Sequence, residues 1–161
     1  MQYLLIKVYN NRTFCKFLSI LSHIVSLVCV AMFLACLGYF TYLESYLSAA
    51  KISVCLLVGY IFVTGLRDIV DAPRPYELYD FYEVKPKNRK GKSFPSRHAY
   101  SAFAIAVAAF SVHVALGALF VLLAASMCAA RVLLGIHFIR DVAAGSLIGV
   151  IAGICALMCI A

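Results

Sequence analysis

The sequence predicts an all-α protein: a multi-pass transmembrane helical bundle forming a single domain, residues 1–161. Three observations predict it. Of the 161 residues, 65% are hydrophobic and none is Trp. The mean hydropathy of +0.97 lies well outside the range of water-soluble domains of this size. A bilayer-spanning helix takes about 20 mostly apolar residues, and five stretches approach or exceed that length: 18–43, 48–66, 98–114, 117–136 and 141–160.

Residues 1–17 mix Lys7, Arg12 and Lys16 with Tyr, Leu and Phe, the pattern of an interfacial segment lying on the membrane. The stretch 18–43 is longer than the roughly 7–15 residues of a signal-peptide core and lacks a clean small-residue cleavage site, so it reads as a retained helix. After the second stretch comes the one long connection, 67–97, which is charged and holds all four prolines, Pro73, Pro75, Pro86 and Pro95. A long polar loop in a compact domain is usually functional. Within it, Pro95-Ser96-Arg97-His98 has the form of a helix start, with Ser96 as N-cap and His98 in the first turn. The final stretch carries Gly145, Gly149 and Gly153 at spacing four, a stripe that admits close packing of another helix.

The seven cysteines form no C-x-x-C pair and six fall inside apolar stretches, where they serve as small buried hydrophobes. Asn11-Arg12-Thr13 is formally a glycosylation triplet, but it lies too close to the bilayer to carry weight. The formal charge is +7. No aromatic-interleaved basic stripe points to nucleic acid. A membrane surface or an anionic lipid headgroup is the partner that this charge fits.

Counting passes brings the 67–97 connection and the short 137–141 connection to the same face of the membrane. Arg67, Arg74, Ser96, His98, Arg131, His137 and Asp141 then converge, whereas the other face offers only Glu44, Lys51 and His113. Arginine is permanently charged and grips phosphate oxygens through a planar fork. Arg131 falls inside the fourth apolar stretch, where a charge is costly and marks function. The alternative for each arginine is pairing with Asp68, Asp71 or a backbone carbonyl. His98 sits where backbone N–H groups favour an anion. His137 and Asp141 are four apart and share a face if the helix is continuous there. An aspartate that accepts the Nδ1 proton leaves Nε2 as base or nucleophile. With no H-E-x-x-H or Cys/His cluster, no metal is expected.

These residues resemble the type 2 phosphatidic acid phosphatase (PAP2) superfamily, whose motifs are K-x6-R-P, P-S-G-H and S-R-x5-H-x3-D. The first matches RDIVDAPRP, residues 67–75, with Arg67 for lysine. The second matches PSRH, residues 95–98, with Arg97 for glycine. The third matches ARVLLGIHFIRD, residues 130–141, with Ala130 for serine. The resemblance implies a metal-independent membrane lipid phosphatase with no cofactor. His137 would be the nucleophile, Asp141 would orient it, and His98 would protonate the leaving oxygen. Arg67, Arg74, Arg131, Ser96 and Arg97 would hold the phosphate. It implies a substrate such as an isoprenyl diphosphate, phosphatidic acid, phosphatidylglycerophosphate or lipid A, and a bacterial cytoplasmic membrane as location. Transfer of the phosphoryl group to an alcohol is the enzymatic alternative; a small anion or lipid transporter is the non-enzymatic one. The oriented histidine favours the enzyme, since an anion path needs no nucleophile. Family members usually have six spans; here five are expected. Basic residues on the site face place it in the cytoplasm by the positive-inside rule, whereas many family members work on the opposite side.

Overall fold

The structure, a computed structural model, describes residues 11–78 and 90–160. Among these there is no strand. The chain runs through α1 (Arg12–Tyr42), α2 (Tyr46–Val70), a one-turn α3 (Pro75–Leu78), α4 (Arg97–Ala108), a 3-10 turn (Ala109–Ser111), α5 (Val114–Leu133) and α6 (Ile139–Ile160). Four helical segments are long and apolar enough to cross a membrane: Arg12–Tyr42, Tyr46–Leu78, Val114–Leu133 and Ile139–Ile160.

Each of the five expected stretches is helical, with shifted edges. The first helix begins at Arg12, inside the segment expected to lie on the interface. Asn11 caps it by accepting the Phe14 N–H at 3.1 Å. The remainder of that segment, residues 1–10, lies outside the described residues, as do Lys85, Lys87 and Arg89 of the long connection. The third stretch is the shortest, 12 helical residues followed by the 3-10 turn. It is also the centre of the bundle. Ala99, Ala102, Ala104, Ala106 and Ala108 of α4 are buried, and their small side chains let α1, α2, α5 and α6 approach it together. His113, at the turn into α5, is an N-cap whose Nδ1 accepts the Ala115 N–H.

The outer surfaces carry large apolar side chains, among them Leu27, Leu57, Ile61, Leu122 and Met158. Lipid is as apolar as these side chains, so helix association rests on close packing and on buried polar contacts. The glycine stripe supplies the packing. A Cβ at Gly145 would meet the Ser96 carbonyl, one at Gly149 the Tyr100 carbonyl, and one at Gly153 the Val107 side chain. Opposite α6, the fully buried Tyr100 ring lies against Gly59 and donates its hydroxyl to the Leu56 carbonyl at 2.6 Å. The start of α4 is thus pinned between α2 and α6. Gly149→Leu forces α4 off α6 and is expected to cost about 1–3 kcal/mol or more. A thermal-shift measurement in detergent checks this; a melting temperature equal to wild type contradicts the packing.

Candidate active site

Seven polar or charged residues are buried among the described residues: Ser22, Arg67, Arg74, Ser93, Ser96, His137 and Asp141. Burial of such groups is expensive unless they are satisfied: Ser93, Ser96, His137 and Asp141 are joined by hydrogen bonds, Arg67 and Arg74 bond the backbone of 91–95 beside them, and Ser22 holds Arg131.

The chain builds this cluster from the connection between α2 and α4. Helix α2 stops at Val70, with Asp71 in the left-handed region (φ 39°), two residues ahead of Pro73. Arg67 and Arg74 therefore do not share a helical face. Both reach into the returning segment 91–96 instead. Arg67 Nη1 donates to the Pro95 carbonyl at 2.8 Å, and Arg74 Nε donates to the Gly91 carbonyl at 3.0 Å. Carboxylates fasten the same segment from the other side. Asp71 accepts the Lys92 N–H, Glu77 accepts the Gly91 N–H, and Asp68 pairs with the Lys92 ammonium at 2.7 Å. Gly91 holds φ +64° hard against the Asp71 carboxylate, a place where a side chain has no room. Each guanidinium carries five donors, so Arg67 and Arg74 keep most of theirs after these bonds. Neither pairs with a carboxylate among the described residues.

Ser96 is the N-cap of α4, accepting the Ala99 N–H at 3.4 Å, and His98 lies in the first turn as the sequence predicts. The Ser96 N–H also donates to the Asp141 carbonyl at 2.9 Å, which ties the start of α4 directly to the start of α6.

At the other connection α5 ends, Gly135 turns the chain with φ 62°, and α6 begins at Ile139. The helix is not continuous from His137 to Asp141. The entry turn brings the pair together instead, with Asp141 Oδ2 accepting the Phe138 N–H at 3.0 Å. The expected direct hydrogen bond from His137 to Asp141 is replaced by a bridge. His137 Nδ1 is 3.7 Å from Asp141 Oδ2, too long for a hydrogen bond. Ser93 stands between them, 2.5 Å from Asp141 Oδ2 and 3.3 Å from His137 Nδ1. An ionised carboxylate only accepts, so the Ser93 hydroxyl donates to Asp141 and its oxygen receives the Nδ1 proton of His137. Asp141 is 0% exposed. Burial pushes His137 below the ordinary histidine range; the neighbouring Asp141 carboxylate opposes this, and the charges of Arg74 and Arg131 add to it.

Arg131 is reached from a third direction. Its Nε donates to Ser22 Oγ of α1 at 3.0 Å. The Ser96–Asp141 bond sets the first turn of α4, which carries His98, beside the entry turn that carries His137. Arg97 stacks over Tyr60 of α2, with its guanidinium carbon 5.9 Å from the ring centroid. Among the described residues no group of three or more His, Cys, Asp or Glu side chains is placed to hold a metal ion.

Sequence reasoning missed Ser22, Tyr60 and Ser93. Ser93 had a signal, its place three residues before Ser96 in a segment that must pack against the third motif. Ser22 and Tyr60 had none, since each is one polar group in a long apolar helix.

A model of the PAP2 superfamily matches residues 48–161, well over half of the chain. The chain belongs to the PAP2 superfamily. Membership makes a membrane lipid phosphatase the class of enzyme to which this site corresponds. No curated protein matches the chain significantly. Among solved structures, the crystal structure of LpxE from Aquifex aeolicus has a TM-score of 0.72 at 22% identity, with 98% of this chain and 94% of that chain covered. At that identity the likeness is one of fold. The PAP2 match begins after α1, yet α1 supplies the Ser22 hydroxyl that holds Arg131.

Proposed function

We propose that this PAP2 protein is a metal-independent lipid phosphatase that hydrolyses a phosphomonoester or diphosphate headgroup through a phosphohistidine on His137. The observation that carries the reading is the chain His137 Nδ1, Ser93 Oγ, Asp141 Oδ2. It holds the proton on Nδ1 and leaves the Nε2 lone pair for attack. Burial reinforces this by keeping the ring neutral.

The substrate phosphate is held among Arg67, Arg74 and Arg131, near the start of α4, where Ser96 and the backbone at 97 add dipoles. Nε2 attacks phosphorus, the N–P bond forms and the P–O bond to the lipid breaks. His98 gives its proton to the departing oxygen. Water then attacks the phosphohistidine, passing a proton to His98, and inorganic phosphate leaves with His137 restored. The arginines supply the positive charge that a metal ion supplies in other phosphatases.

The test is phosphate release from isoprenyl diphosphate, phosphatidic acid, phosphatidylglycerophosphate and lipid A by purified protein in detergent. Release from at least one of them is expected, unchanged by chelator and inhibited by orthovanadate, which mimics five-coordinate phosphorus. Loss of release with chelator, restored by zinc or magnesium, contradicts the mechanism. Phosphoryl transfer to an added alcohol in place of release supports the phosphotransferase reading.

A further inference from the structure

Two adjoining cavities run from the active site into the apolar part of the bundle. The first, about 230 Å³, is bounded by Arg97, His98, Tyr60, Ser101 and Met127. The second, about 330 Å³, is bounded by Phe33, Leu56, Leu57, Tyr60, Tyr100 and Ile105. Tyr60, Ser101 and Ile105 line both. The pair forms a groove among α1, α2 and α4, with His98 at its polar end and Phe33, Leu56 and Leu57 at its apolar end. On the proposed reading, a lipid with its reacting phosphate at His137 and its leaving oxygen at His98 lays its hydrocarbon chain along this groove.

Arg97 stands at the neck. It replaces the glycine of the family motif, and its guanidinium packs on the face of Tyr60. A cation on an aromatic face in a low-dielectric groove is attracted to the ring, a contact that uses none of its N–H donors. Arg97 and His98 both line the first cavity, but Arg97 is the one packed on Tyr60, the residue that leads into the second, so we place it on the chain side of His98. The group facing it is therefore the one between the leaving oxygen and the hydrocarbon.

We propose that Arg97, held by Tyr60, is a second anion subsite that takes a phosphoryl group on the chain side of the scissile bond. This rests on the phosphatase reading and narrows the substrate to a lipid in which the leaving group is itself a phosphate. His137 Nε2 attacks the terminal phosphorus, and the bond to the bridging oxygen breaks. The electron pair stays on the inner phosphate, which departs as a lipid monophosphate. Arg97 stabilises the charge that develops there.

The experiment compares a prenyl diphosphate with the prenyl monophosphate of the same chain length, using full-length protein in detergent. The quantity read is the ratio of the two kcat/KM values, which is insensitive to the active fraction of a preparation. Wild type is expected to favour the diphosphate. Arg97→Gln is expected to lower the ratio roughly tenfold or more, the scale of one charge-assisted hydrogen bond, and Arg97→Lys to recover part of it. A ratio left unchanged by both substitutions overturns the subsite, as does a wild-type enzyme that cleaves the monophosphate at least as well. Either result leaves the phosphatase reading standing. Absence of release from both lipids, and from the wider lipid panel, sinks the phosphatase reading itself.

Discussion

His137→Ala is expected to abolish phosphate release while the protein still folds and inserts. Removing the nucleophile of a covalent hydrolase costs on the order of 10⁶ in kcat where it has been measured in a serine protease. A loss of at least about 10³ is expected here, since the arginines still polarise the phosphate for direct attack by water. His137 is 3% exposed, so alanine also leaves a hole; His137→Gln, nearer in volume, separates chemistry from packing. Both variants should elute as wild type on size exclusion and both should be inactive. A rapid acid-free quench with labelled lipid should trap phosphoprotein in wild type and none in either variant. The pH dependence follows from burial. The folded-state pKa of His137 lies below its ordinary value near 6.5, so the neutral nucleophile persists below that value. Activity governed by His137 is lost only as pH falls through the depressed pKa. An acid limb centred above 6.5 argues against His137, and retention of more than a few per cent of wild-type rate in His137→Gln removes it as nucleophile.

What the sequence shows about this protein, and what it hides, divides along physical lines. Long apolar stretches need no tertiary information to be read as helices, because lipid leaves the backbone no other way to satisfy its hydrogen bonds. Counting passes then predicts that residues 67–75, 95–98 and 131–141 gather on one face, and hydrogen bonds join Arg67 to Pro95 and Ser96 to Asp141. The helix edges were less legible. Arg12 and Lys16 look interfacial by charge, yet the Asn11 cap starts α1 before them. The contacts inside the site were least legible. A four-residue spacing predicts a shared helical face for His137 and Asp141, but an entry turn produces the proximity, and a serine from a different connection fills the gap. Arginines chosen for phosphate also bond the backbone of the loop that presents them, at Pro95 and Gly91. Charge and spacing do not encode which of those uses a given N–H serves.

Asp141→Asn is expected to lower kcat by about 10³–10⁴, the upper figure being that of the equivalent change in the serine protease triad, with folding retained. Asp141 is fully buried, and its Oδ2 accepts from both Ser93 and the Phe138 N–H. Asparagine with its oxygen in the Oδ2 position accepts both bonds and puts its NH2 where Oδ1 sits, but the negative charge that anchors the chain is gone. A neutral amide holds the Ser93 proton less firmly than a carboxylate. The Ser93 hydroxyl can then turn and donate to His137 Nδ1 instead of receiving from it. The histidine proton moves to Nε2, and the attacking nitrogen has no lone pair to offer. The loss arises from a wrong tautomer in an intact fold, so the melting temperature should move little compared with the rate. Ser93→Ala is the informative partner. It removes the bridge but leaves Asp141 ionised 3.7 Å from Nδ1, close enough to favour the correct tautomer electrostatically and by a small shift of the ring. Its loss should be clearly smaller than that of Asp141→Asn, and the double variant should be no worse than the aspartate variant alone. Asp141→Asn within tenfold of wild type removes the aspartate from the mechanism. If Ser93→Ala matches wild type while Asp141→Asn is inactive, the proton passes directly from ring to carboxylate and the serine has no part in it.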